Sequence, residues 1–178
     1  MDLFFIDTAF EVIDARSFSN LWYWLAVAAA WSSASYWALG VPYELTRRAA
    51  QGDAEALADL HMVSNVHARR VVRVEGTAGL WFVGMAWFVG TALGLMGFLY
   101  RVEFAQAALF LFLPFALLTQ LTLRTARRAL AVPPEDLPPL LLRHRRTVQA
   151  VGAGAIFVTA MWGMWVNLNV SVLGNASL

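Results

Sequence analysis

Four stretches of this chain run for more than about 18 residues without a charge, the length a helix needs to cross a bilayer. They are Leu21 to Val41, Gly76 to Tyr100, Phe104 to Leu123, and Val148 to about Val172. At about 1.5 Å per residue a helix of that size spans roughly 30 Å, the thickness of the hydrocarbon layer. Lipid offers the backbone no hydrogen-bond partner, so each span has to be helical. The reading is an all-α polytopic membrane protein, a single membrane domain over residues 1–178 with four transmembrane helices. The third span is the shortest, and Pro114 is expected to kink it. The composition agrees: 60% of residues are hydrophobic and 14% charged, where soluble domains sit near 45–50% and about 25%.

Aromatic residues mark the ends of the first span. Trp22, Tyr23 and Trp24 stand at one end, Tyr36, Trp37 and Tyr43 near the other, and Trp31 mid-span. Trp and Tyr favour the two membrane–water interfaces, where an apolar ring can keep a polar edge wet.

All 13 cationic residues are arginine, a hint of a GC-rich bacterial genome. Their distribution sets an orientation. Five lie between spans one and two and six between spans three and four, against Arg16 and Arg101 on the other side. The positive-inside rule counts these residues and largely ignores acids. It predicts both long connections in the cytoplasm and both termini in the periplasm of a bacterial inner membrane. In the first connection, Asp53 after Gly52 is placed to cap an amphipathic helix that runs into the second span. In the second, Pro133, Pro134, Pro138 and Pro139 predict a stiff turn. Near the N-terminus, Phe5, Ile6, Ala9, Phe10 and Ile13 approximate one helical face, which predicts a short surface helix.

The chain carries little recognisable chemistry. The four spans hold no Asp, Glu, Arg or His, which argues against a proton relay, an ion-coupled transporter or a haem held between helices. There is no cysteine, which excludes thiolate ligands and disulfides in this chain. His61 and His67 are six residues apart and do not share a helix face, and His144 in "RHRR" reads as solvated or lipid-facing. No hydrolase, phosphate-loop or metalloprotease motif occurs. Catalytic, cofactor and metal sites are therefore expected to be absent, a bound lipid aside, and nothing points to nucleic acid.

What the spans carry is packing chemistry. Span two holds Gly90 and Gly94 as a GxxxG pair, and small residues let helix backbones approach closely in lipid. Candidate interface residues are Gly90 and Gly94, Trp22 and Trp24, Asn167 at the outer end of span four, and Arg143, Arg145 and Arg146.

The segments "RSFSNLWYW", "LGVPY", "YRVEFAQA", "LRTARR", "RHRR" and "FVTAMWGMWVNL" resemble a small integral-membrane family of alphaproteobacteria, often labelled "component of SufBCD complex" after an iron–sulfur assembly system. The resemblance covers about Ser17 to Leu168. It implies a four-helix integral-membrane chain and assigns no catalytic or binding residue.

The expected role is a non-catalytic accessory or structural subunit of the inner membrane. It would bind membrane lipids and either a larger complex, respiratory or photosynthetic for example, or further copies of itself. The alternatives are a small-molecule or lipid transporter, which needs a polar cavity between spans, and a membrane enzyme acting on lipid, which needs the histidines and acids to converge.

Overall fold

The computed structural model describes residue 18 and residues 20–175; the expected N-terminal surface helix lies outside them. The described residues form five α-helices: α1 Leu21–Tyr36, α2 Tyr43–Ala50, α3 Ala54–Gly94, α4 Glu103–Ala129 and α5 Leu137–Asn175. Three helical stretches, Ala54–Leu99, Glu103–Ala129 and Pro134–Leu168, are long and apolar enough to cross a membrane.

The first apolar run departs from expectation. Helix α1 ends at Tyr36 after 16 residues, and the strands Trp37–Ala38 (β1) and Val41–Pro42 (β2) pair antiparallel. Leu39 (φ 53°) and Gly40 (φ 72°) between them both have positive φ, as a type I′ hairpin loop requires. Glycine is needed at the second position twice over. A Cβ there would also lie 2.6 Å from Nδ1 of His67. An all-apolar run gives composition nothing with which to mark this bend; the local signal is Gly40 two residues before Pro42.

Helix α2 closes in a Schellman motif. Asp53 N–H donates to Arg48 O (3.3 Å) and Gly52 N–H to Ala49 O (3.2 Å), with Gly52 at φ 92°. Asp53 then caps α3, its Oδ1 accepting from Ala56 N–H at 3.1 Å. From there one helix runs without a break through the polar and apolar segments and ends in a π-helical turn, Leu95–Leu99. Its 46 residues reach roughly 70 Å. That is more than twice the thickness of a hydrocarbon layer, so much of α3 has to stand outside one.

Arg101 (φ 57°) reverses the chain into α4, which continues through Pro114 to Ala129. Helix α5 follows a 3-10 turn at Pro134–Asp136 and has 39 residues. The prolines expected to stiffen a turn thus have a second use. Pro138 and Pro139 lie in the first turn of α5, where a missing N–H breaks no helical bond.

Two cores result. At the polar end, here called the head, Leu39, Val41, Ala56, Leu60, Ala126, Leu137 and Leu141 form one buried cluster with Ala49, Ala68 and Ala129. In the apolar half a smaller cluster joins Val27, Trp31, Leu118 and Val148. The register between helices is fixed by contacts at both levels. Glu75 pairs with Arg127 and Gly90 meets Phe112, so α3 and α4 run antiparallel. Thr125 meets His144 and Gln106 meets Trp162, so α4 and α5 do too.

Candidate functional site

The polar groups gather at two levels. At the junction of head and apolar half, Thr125 Oγ1 lies 2.9 Å from Leu121 O and 3.0 Å from His144 Nδ1. A hydroxyl has one proton; given to the carbonyl, it leaves the oxygen free to accept from an imidazole protonated at Nδ1. His144 is 7% exposed. This corrects the solvated or lipid-facing reading of "RHRR": the ring turns inward against α4, and burial pushes its pKa below the ordinary histidine value.

Its neighbour Arg145 places its guanidinium 4.0 Å over the Tyr43 ring. Nη1 of Arg145 is buried without a hydrogen-bond acceptor, and the π face of Tyr43 takes that place. Arg143 and Arg146 remain exposed. Glu75 and Arg127 bridge α3 and α4 at this level.

At the far end, Gln106 is a buried hub. Its amide N–H donates to Gly97 O (2.7 Å), and its oxygen accepts from Trp162 Nε1 (2.9 Å). Glu103 accepts from Phe18 N–H at 2.8 Å, Trp24 Nε1 donates to Phe18 O at 3.0 Å, and the Tyr23 hydroxyl donates to Ala107 O at 3.2 Å. These bonds seat the start of α1 on α4. A shallow open depression beside them is lined by Phe18, Trp24, Gly163, Met164, Asn167 and Leu168. Trp24 and Asn167 thus share one place, while Trp22 points away, 72% exposed.

The small residues divide. Gly90 lies where a Cβ would be 3.3 Å from the Phe112 ring, so it serves the contact between α3 and α4; among the described residues a Cβ on Gly94 would meet nothing within 4 Å beyond its own helix. Closer approaches fall elsewhere. A Cβ on Gly152 would be 2.7 Å from Trp31, and one on Gly163 would be 3.0 Å from Phe18. These two glycines let α1 lie against α5. No GxxxG spacing announces them, because each accommodates one aromatic side chain instead of a repeating ridge.

Among the described residues no three His, Asp or Glu side chains converge as a metal site would need. His61 Nε2 is taken by the amide of Asn65 at 2.8 Å, and the His67 ring lies under Gly40. The other feature that asks for an explanation is the apolar length of α3. Leu80 (87%), Trp81 (81%), Phe82 (61%) and Val83 (44%) are all exposed. Four consecutive residues cover the whole circumference of a helix, so among the described residues this turn is exposed on every side. Trp87 and Phe88, two turns on, are exposed as well.

Comparison with protein families, with curated proteins and with solved structures finds no match to this chain.

Proposed function

We propose that the chain is a non-catalytic accessory subunit of the bacterial inner membrane that binds a larger membrane complex through the bare apolar length of α3. The observation that supports this reading is the exposure of Leu80, Trp81, Trp87 and Phe88 on a helix whose head half is well packed. Trp87 lies eleven residues past Gly76, roughly 16 Å into the apolar stretch. The preference of Trp for interfaces does not account for a ring at that depth. A partner helix does, since large aromatic side chains carry much of the energy of protein contacts.

The reading includes a fourth crossing by α1. Phe18, just ahead of α1, is tied to Glu103 at the start of α4, and Trp31 stacks on Phe115 (ring centroids 5.0 Å apart). Helix α1 therefore lies beside the apolar part of α4 over most of its depth. It also includes a cytoplasmic head and periplasmic termini, from the distribution of arginine. A reporter active only outside the cytoplasm, fused after Leu178, is expected to be active, and one inserted at Gln51 silent.

The direct test combines Trp81→Ala, Trp87→Ala and Phe88→Ala. These side chains are mostly exposed among the described residues, so the variant is expected to accumulate and fold normally while copurification of the partner in mild detergent falls at least tenfold. Undiminished copurification would refute the α3 surface.

A further inference from the structure

We infer that the arginines at the junction of head and apolar half form a girdle that binds the phosphate headgroups of anionic phospholipids. The inference rests on the reading of the apolar half as membrane-embedded.

In the sequence the two polar connections differ: the first carries no net charge and the second +4. Folding redistributes that charge into layers. Helix α3 brings Arg69, Arg70 and Arg73 to the junction, α4 brings Arg124, Arg127 and Arg128, and α5 brings Arg143, Arg145 and Arg146. The register set by Glu75–Arg127 and Thr125–His144 places all nine within about 15 Å of height at 1.5 Å per residue. The side chains are long enough to bring their guanidinium groups into one headgroup layer. Among the described residues of α3, α4 and α5, Glu75 is the single carboxylate at this level, which leaves the girdle at +8.

Five acids of the head lie farther out. Asp53, Glu55 and Asp59 are on the first turns of α3 and its cap, ten or more residues before Arg69. Glu135 and Asp136 lie in the 3-10 turn before α5, and Glu135 sits beside Gly52 and Leu57. With Arg48 these five carboxylates leave the outer cap at −4, and the Glu44–Arg47 pair cancels.

The girdle is open. Among the described residues the ion pairs are Arg47–Glu44, Arg48–Asp53 and Arg127–Glu75. Arg145 is held over Tyr43. Seven girdle arginines remain exposed with no carboxylate opposite: three on α3, two on α4 and two on α5. A chain that needed arginine only to fix its orientation could place the acids anywhere, since orientation follows the cations. Here the acids stand apart from the membrane edge, so an anionic surface meets almost undiluted positive charge while the cap is repelled from it. The position of the girdle at the apolar edge identifies the anion as a lipid headgroup and not a soluble phosphate.

The test is native mass spectrometry of the full chain in mild detergent, titrated with phosphatidylglycerol or phosphatidylcholine. The expected result is retention of phosphatidylglycerol at least about fivefold above phosphatidylcholine, the effect of roughly one well-placed arginine. The preference should fall with salt. It should be lost in the variant Arg124→Gln, Arg128→Gln, Arg143→Gln, Arg146→Gln and kept in the matching Lys variant. If the Gln variant does not fold, the wild-type preference and its salt dependence decide alone. Equal retention of the two lipids, or full displacement of phosphatidylglycerol by millimolar inorganic phosphate, overturns the inference. Carbonate extraction separates the two levels of failure. A chain that stays in the membrane without lipid preference loses only the girdle; a chain that washes off loses the membrane reading too.

Discussion

The head and the apolar half of this molecule share the helices α3, α4 and α5, yet they are built by different rules. In the head, Leu60, Leu137, Leu141 and Val41 are fully buried, with alanines closing the gaps between helices. That is how a water-soluble domain is held together, by removal of apolar area from water. In the apolar half the largest side chains of α3 point outward, and close contact comes from Gly90, Gly152 and Gly163. That arrangement is stable only where the surroundings are as apolar as the side chains themselves. One continuous helix can obey both rules because its backbone bonds are satisfied internally at every depth.

The comparison breaks most visibly at a head leucine. Leu60→Ala or Leu141→Ala is expected to cost about 2–5 kcal/mol, because the cavity left among α3, α4 and α5 cannot collapse fully. Thermal unfolding in detergent should show the loss; a change below about 1 kcal/mol would remove the soluble-type core from the account.

The next effect lies in the apolar half. Gln106→Leu removes the hub that satisfies Gly97 O and Trp162 Nε1, and unpaired buried groups cost about 1–3 kcal/mol each. The same assay reads it, and adding Trp162→Phe to the Gln106→Leu variant should recover part of the loss by removing one orphaned donor.

A smaller effect is tied to pH. Burial lowers the pKa of His144 in the folded chain, so the unfolded chain binds the proton more readily. Its contribution to stability is therefore fully present above the unfolded value near pH 6.5 and is lost as pH falls through the lower folded value. Unfolding midpoints measured from about pH 7.5 down to about pH 5 should drop, and the slope should flatten in His144→Gln. An unchanged slope would show that the head has another acid-sensitive group.

The smallest effect sharpens the contrast. Leu80 is 87% exposed, so Leu80→Ala should shift stability by no more than about 0.5 kcal/mol, although its chemistry matches that of Leu60→Ala.

Much of this architecture is legible in the residues. The charge-free runs place the apolar segments, and Asp53 after Gly52 marks the start of α3 together with its passage into the apolar half. The bend after Tyr36 is not legible from composition, because Trp37 to Val41 is as apolar as the helix before it; backbone geometry at Leu39 and Gly40 decides it. The inward turn of His144 is hidden for a different reason. Its neighbours Arg143, Arg145 and Arg146 suggest a solvated face, but successive residues on a helix point about 100° apart, and only the register with Thr125 shows which of the four turns in. The glycine contacts depend on Trp31 and Phe18, which are distant in sequence, so no local motif could reveal them.

The most direct measurement asks whether α3 passes unbroken from a packed, water-exposed head into lipid. The chain has no cysteine, so single cysteines can be placed along α3 from Met62 to Phe88, spin-labelled in liposomes, and read for collision with oxygen and with a water-soluble nickel chelate. The account predicts nickel access at Met62 and Val66, a crossover between Glu75 and Gly79, and oxygen access without nickel access at Leu80, Trp81, Val83 and Trp87. Nickel access at those last four positions would contradict it.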